Sequence, residues 1–301
     1  MKNLKKRSAV PSRRCLGGAQ RQRGFTLIEL IMVIVIGAVL AATLAVFLRP
    51  AFDSWIALRT RAELSHQATN ALRRMRDEVR SAVPNSIRSP GSQCVELVPT
   101  LTGARLRRDT DTVTAGAMPL DTSAATTQFD VMTTFSTTPS VGDYVVIDNQ
   151  NPGDVYSGSN RAAISAVAAP PKAAFGRHRV TVASTQFPAG YDGNRMVVVP
   201  NSQQAVFYVC EGADGTLDSS GNGKGVLARL SHYGFNSGYP GSCPSAASGE
   251  VLASSVKSCR FIYDPAQGAT QQSGFVSMQI EITRNSETAG LVVGAHVANV
   301  P

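Results

Sequence analysis

The side chain in the most unusual chemical setting is that of Glu29, the one ionisable residue between Phe25 and Leu48. A carboxylate inside a lipid bilayer is costly unless it is paired, and nothing in this apolar run supplies a cation. We therefore expect Glu29 to form an ion pair with a cation that another molecule supplies. The alternative is a carboxylate that lies close enough to the membrane interface to reach water.

Cysteines form the second group with possible chemistry. Cys15 lies in a basic N-terminal tail, and Cys94, Cys210, Cys243 and Cys259 lie in the remainder. In an exported chain these last four predict two disulfides, although some could stay buried free thiols. Three pairings are possible, of which we prefer Cys243 with Cys259 and Cys94 with Cys210. No CxxC spacing is present, which argues against a structural zinc or redox site.

Catalytic and metal-binding signatures are absent from the sequence: there is no zinc-protease, serine-hydrolase or phosphate-loop motif. The four histidines are scattered singly and are expected on a helix surface or on strands: His66, His178, His232 and His296. The segment from Asp218 to Gly223 resembles the start of a calcium loop, but Arg229 stands where a bidentate Glu belongs. A polar hairpin loop explains these residues equally well. We predict no catalytic residue, no metal and no cofactor.

Charge is distributed unevenly along the 301 residues, whose formal net charge is +8. Eight of the 29 Lys and Arg residues lie in the first 24 positions, together with none of the 21 Asp and Glu residues. The remaining chain therefore carries equal numbers of both signs. The basic character belongs to a tail, which argues against a nucleic-acid-binding surface.

Membrane insertion is predicted for residues 25–48, because a helix of this length spans about 36 Å, more than a bilayer core of about 30 Å. The cationic tail orients the helix, so that the tail stays in the cytoplasm and the chain after Arg49 is exported. A cleaved secretory signal is the alternative, but its apolar region would be shorter.

The segment from Arg23 to Glu29 resembles the N-terminal signal of a known protein family. A basic leader, Gly24, the aromatic Phe25, Glu29 and an apolar helix follow one another as in type IV pilins and type II secretion pseudopilins. The resemblance implies that a prepilin peptidase cleaves after Gly24 and methylates Phe25, and that Glu29 pairs with the N-terminal amine of a neighbouring subunit. The implied partners are that peptidase, other major and minor pilins that contact the N-terminal helix, and an inner-membrane assembly platform, with no nucleic acid.

The elements that must position this segment start with a second helical stretch. Pro50 is expected to kink the helix without ending it, and Pro84 to end it. Between them apolar residues recur every three or four positions: Leu64, Ala68, Leu72, Met75, Val79 and Ala82. Residues 49–83 are therefore predicted to form an amphipathic helix, whose cations Arg73, Arg74 and Arg76 are interpreted as a solvated face. The alternative for this charge run is a patch that binds anionic lipid or nucleic acid.

Residues 84–301 are predicted to be β-rich, because Phe275 to Thr283 alternates apolar and polar residues. The other predicted strands are Cys94–Val98, Gln128–Thr134, Tyr144–Asp148, His178–Ser184, Arg195–Val199, Ala205–Cys210, Val226–His232, Cys259–Asp264 and Leu291–Ala298. Residues 109–128 are expected to be a loop or an insertion. The predicted fold class is α+β, with a long bent N-terminal helix packed on a large antiparallel sheet domain.

Patches such as Ala71 to Asp77 and Cys259 to Asp264, together with the large exported part, resemble the MshO-type minor pilins of MSHA pili. This implies a leader over residues 1–24, a membrane and assembly helix over 25–48, and a low-copy subunit at a pilus tip that primes assembly and supports attachment or motility. It also implies an inner-membrane protein with a periplasmic domain that later joins a surface pilus. The alternatives are a minor pseudopilin of a type II secretion system and a membrane-tethered periplasmic enzyme.

Overall fold

The computed structural model describes residues 24–108, 114–190, 193–267 and 273–298. The expected leader falls on residues 1–24, so all of it except Gly24 lies outside the described residues, as does Cys15. The chain divides into two compact units, residues 1–55 and residues 56–301.

One long helix, α1 (Leu27–Arg80), contains Pro50 in its interior. Among the described residues it is the one helix that is long and apolar enough to cross a membrane. In the second unit, six residues of this helix are buried at the expected spacing: Leu64, Ala68, Ala71, Leu72, Met75 and Val79. The predicted apolar face is thus buried from Leu64 to Val79, but the helix ends at Arg80, before the expected stop at Pro84. Ala82 has left the helix and forms a β-bridge with Pro99.

Thirteen strands follow within the described residues. They are β1 (Arg88–Gly91), β2 (Cys94–Leu97), β3 (Thr102–Arg105), β4 (Thr126–Val131), β5 (Tyr144–Val146), β6 (Arg161–Ala168), β7 (His178–Thr185), β8 (Arg195–Val199), β9 (Val206–Glu211), β10 (Gly225–Leu230), β11 (Glu250–Gln267), β12 (Ser273–Arg284) and β13 (Glu287–Ala298). Ten of them overlap predicted strands, whereas β1, β3 and β6 were missed.

The first sheet has seven antiparallel strands in the order β1-β2-β9-β10-β11-β12-β13. The buried side of the second-unit part of α1 packs on one face of this sheet and forms the main core with residues such as Tyr208, Phe261 and Met278. A helix on an antiparallel sheet is the predicted α+β arrangement.

The second sheet has six strands in the order β3-β8-β5-β6-β7-β4, and its two end strands meet. Leu106, directly after β3, bridges Val131 on β4, and the Met132 amide donates to the Arg105 carbonyl. The sheet therefore closes on itself around its own core, which includes Phe129, Ile164 and Val198. Two short helical segments accompany it, α2 (Asp154–Ser157) and a 3₁₀ turn (Ala173–Phe175).

The closed sheet is inserted between two neighbouring strands of the first. β2 ends at Leu97, β9 starts at Val206, and these two residues are register partners. The chain thus leaves the first sheet and returns to the same place. Arg88, buried in β1, ties the two parts together by donating to the carbonyls of Pro152 and Asn236.

Candidate functional site

The start of α1 is capped by its own side chains. The Glu29 amide lies 3.3 Å from the Thr26 hydroxyl, and the Thr26 amide lies 3.5 Å from Glu29 Oε2. Such reciprocal contacts form a capping box, which satisfies two amides that a helix start otherwise leaves unpaired. Glu29 thus has a partner within its own chain. This cap was not predicted above, although Thr-x-x-Glu before an apolar run is its recognisable signature.

Gly24 and Phe25 precede the helix in a non-helical segment. The Phe25 side chain is 79% exposed, and no atom lies within 4 Å of where a Gly24 side chain would be. The peptide bond expected to be cleaved therefore lies in non-helical, exposed backbone next to the capped helix. A processing enzyme would not need to unwind α1 to reach it.

Large apolar side chains cover the following part of α1 and are exposed. They include Leu27, Ile28, Ile31, Val35, Leu40, Phe47 and Phe52. Soluble monomers rarely expose contiguous apolar surface of this extent, so this part of α1 needs lipid or other helices around it.

Polar side chains hold the second-unit part of α1 to the sheet. Arg229 on β10 is only 4% exposed and reaches both carboxylate oxygens of Glu78 at 3.1 Å. Arg74 contacts Glu250 at 2.6 Å, and Arg61 pairs with Glu287. These pairs fix the rotation of the helix on the sheet, in addition to its apolar packing.

The charge run on α1 belongs to these ion pairs and to the helix surface. Arg74 is engaged with Glu78 and Glu250, and Arg76 contacts Asp77 at 2.8 Å, whereas Arg73 is exposed. This agrees with the predicted solvated face.

All four predicted cysteines form disulfides, but the preferred pairing was wrong. The bonds join Cys94 to Cys243 and Cys210 to Cys259, with Cα–Cα distances of 5.6 and 6.5 Å. Successive residues of a strand point to opposite faces. Cys94 faces away from α1 beside Val209, its register partner, while Cys210 faces α1. One disulfide bond therefore cross-links each face of the first sheet.

The histidines and the calcium-like loop hold no metal-ligand cluster. His66 is on α1, His178 on β7 and His296 on β13, while His232 follows β10. Burial lowers the pKa of His178, whose ring stacks on Phe135.

The Asp218 carboxylate accepts hydrogen bonds from the Ser220 and Asn222 amides, as in a polar turn, and Arg229 pairs with Glu78. Across residues 24–108, 114–190, 193–267 and 273–298, no three His, Cys, Asp or Glu side chains form a group that could hold a metal ion.

A buried ion pair lies on the face of the first sheet away from α1. The Glu96 side chain on β2 is fully buried, lies 3.8 Å from the Arg88 guanidinium and accepts a hydrogen bond from the Tyr233 hydroxyl. Its Oε2 has no hydrogen-bond partner among the described residues. Burial raises the pKa of Glu96 to about 7, although Tyr233 and Arg88 both oppose this shift.

The Arg88 guanidinium stacks on the Tyr156 ring at 3.5 Å. Beside Glu96 lies an open cavity of about 430 Å³, walled by Phe207, Leu230, Tyr233 and the loop around Pro240 and Pro244. Glu96 was not among the predicted site residues, because nothing in the sequence from Cys94 to Leu97 indicates that both faces of β2 are buried.

One family model matches the chain: the prokaryotic N-terminal methylation motif, over residues 19–45. The match covers Gly24, Phe25, the capping box and the first part of the exposed apolar helix. Searches of curated proteins and of solved structures return no match.

Proposed function

We propose that this chain, whose N-terminal segment is that of a type IV pilin-like protein, is a structural minor subunit of a type IV pilus of the MSHA type. The observation that supports a pilin-like subunit is the coincidence of the methylation motif with a capped, exposed apolar helix whose second-unit part packs on a sheet. The MSHA type rests on the resemblance of the segments Ala71 to Asp77 and Cys259 to Asp264. Residues 1–24 would be a leader, and the domain after Arg49 would face the periplasm before assembly.

In the proposed mechanism, a prepilin peptidase cleaves between Gly24 and Phe25 and methylates the new amine of Phe25. The exposed apolar side chains of α1 then exchange lipid for the helices of neighbouring subunits. Glu29 would provide a negative charge at low dielectric, where attraction to a neighbour's N-terminal amine is strong.

Processing is tested by intact-mass and N-terminal analysis of membrane-extracted protein from cells with and without prepilin peptidase. We expect loss of residues 1–24 and one methyl group on Phe25 only when the peptidase is present. A Gly24 substitution should leave the full-length chain in the membrane. An intact N-terminus in both strains would contradict the proposal.

Two substitutions separate the capping role of Glu29 from its charge. Glu29→Gln retains a side chain that can complete a capping box but removes the charge, whereas Glu29→Ala removes both. If the charge drives assembly, both variants are processed normally and both fail to enter pili. If only Glu29→Ala fails, capping explains the defect. Glu63→Ala, at an exposed position on the same helix, is the matched control.

A minor pseudopilin of a type II secretion system is the competing assignment, because both classes carry the same motif. Recovery of the processed chain from purified surface pili supports the pilus. Loss of exported enzymes from the medium on deletion, with normal pili, would instead assign the chain to secretion.

A further inference from the structure

The last strand of the first sheet, β13, has one open edge. It pairs with β12 in an unbroken register of twelve residue pairs, from Ser273↔Ala298 to Arg284↔Glu287. Among the described residues, no strand lies on its other side. Natural sheets protect such edges with short strands, bulges, Pro or Lys. β13 is long and regular and contains no Pro, Lys or Arg.

The register shows which backbone groups are unpaired. Asn285 and Ser286 form a two-residue turn with φ values of 51° and 64°, so Arg284 and Glu287 are a hydrogen-bonded pair. The alternating residues Thr288, Gly290, Val292, Gly294 and His296 therefore direct their amides and carbonyls away from β12. From Thr288 to His296, five donors and five acceptors lie along this edge.

The other sheet ends in the described part of the chain are protected. The end strands of the second sheet meet each other through the Leu106–Val131 bridge. At the opposite end of the first sheet, β1 is four residues long, and its Ser89 amide donates to the Tyr239 hydroxyl. The open edge of β13 is thus an exception within this fold.

Side chains at the edge define what would fit there. Ala289, Leu291 and Val293 point toward the α1 side and are only partly buried, whereas the neighbouring Met278 and Ile280 on β12 are fully buried. One more strand with apolar residues on that side would complete the core. The opposite side of β13 carries Gly290 and Gly294, and Val292 is 62% exposed.

Antiparallel pairing of β13 with the β13 strand of a second copy does not fit a membrane-anchored assembly. Antiparallel pairing of two β13 strands relates the copies by a two-fold axis perpendicular to the sheet, which reverses the direction of residues 56–80 of α1. Subunits that enter an assembly from one membrane have helices of one direction.

We propose that β13 accepts an extended segment of a different subunit of the same assembly, which adds a strand to the sheet. The segment has at least five residues with apolar side chains alternating toward the α1 side. Backbone hydrogen bonds supply affinity, and this alternation supplies specificity. The inference rests on the proposed function.

The test compares Val292→Pro with Val292→Thr in cells that carry the full set of assembly genes. Val292→Pro removes one outward amide without breaking a β12–β13 hydrogen bond, and Val292→Thr preserves the amide and the side-chain volume. We expect incorporation of the proline variant into fibres to fall at least tenfold, with normal membrane level and a melting temperature close to that of the threonine variant.

A photo-crosslinking phenylalanine analogue at His296 of the otherwise unchanged chain provides a measurement that does not depend on the proline variant folding. The expected crosslink joins it to an alternating segment of another subunit, identified by peptide sequencing. A crosslink only to a second copy, a crosslink to no subunit, or equal incorporation of a folded proline variant would overturn the inference.

Methylation of Phe25, measured in the same cells, separates the two proposals. If Phe25 is methylated but neither crosslinking nor the proline variant indicates a segment bound at the β13 edge, only the strand-addition inference fails. If Phe25 is never processed, the proposed function itself fails.

Discussion

Replacing Glu96 by Gln should change the pH dependence of stability. The unfolded carboxyl has a pKa of 4.5, and burial raises it to about 7 in the folded protein. Because the folded state then binds the proton more tightly, the stability from Glu96 is complete below the unfolded pKa. It is lost as the pH rises toward the folded pKa.

The magnitude follows from the two pKa values. Each unit of difference corresponds to about 1.4 kcal/mol, and integration from pH 5 to pH 8 gives a loss of about 2.5 kcal/mol from this one group. Gln resembles the protonated form at every pH. Relative to the wild type, Glu96→Gln should therefore be more stabilising at pH 8 than at pH 5 by about 2.5 kcal/mol.

The assay is urea unfolding of the detergent-extracted full chain with intact disulfides, followed by circular dichroism of the sheet. Comparing the two pH values cancels any constant effect of the amide on the Arg88 and Tyr233 contacts. Glu250→Gln is the control: Arg74 lowers the pKa of Glu250 below its ordinary value of 4.5, so its effect should change by no more than about 0.2 kcal/mol between pH 5 and pH 8. An equal effect of Glu96→Gln at both pH values would refute the reasoning.

Two further predictions concern the disulfide pairing and the packing of α1 in the core. In Cys243→Ser, one free thiol should appear at Cys94 under non-reducing denaturation, as peptide mapping after alkylation would show; a free thiol at Cys259 would contradict the pairing. Leu72→Ala, at a fully buried position of α1, should lower the free energy of unfolding by about 2–5 kcal/mol. The exposed neighbouring variant Arg73→Ala should change it by less than about 0.5 kcal/mol, and equal effects would contradict the packing described above.

Periodicity predicted the elements whose apolar residues repeat cleanly. The face of α1 and the alternation of β12 could be read directly from the sequence. The missed strands lack such a signal: β1 contains Pro and Gly, β3 is four residues with Gly103, and β6 is rich in alanine. Strand propensity is weak in such segments, and their pairing depends on neighbours distant in the chain.

The candidate processing and assembly residues could be proposed from the sequence because they lie in one short segment, and they remain predictions. Gly24, Phe25 and Glu29 lie within six residues, and so does the overlooked cap at Thr26. The disulfide pairing depends on which face of a strand each cysteine occupies, which requires the register. The Arg88–Glu96 pair likewise joins two strands, and Tyr233 contacts it from a segment distant in the chain. The composition of the sequence does not indicate this contact.

The closed sheet is inserted between the paired residues Leu97 and Val206. Its sequence is therefore constrained less strongly in evolution than that of the first sheet and α1. The first sheet and the second-unit part of α1 could stay unchanged while the inserted segment is exchanged, lengthened or lost, because its ends are already neighbours. Only residues at the junction between the closed sheet and the first sheet, such as Val98 and Ala205, would have to change together with residues of the first sheet. The fold therefore allows the closed sheet to diversify rapidly while the first sheet and the second-unit part of α1 evolve slowly.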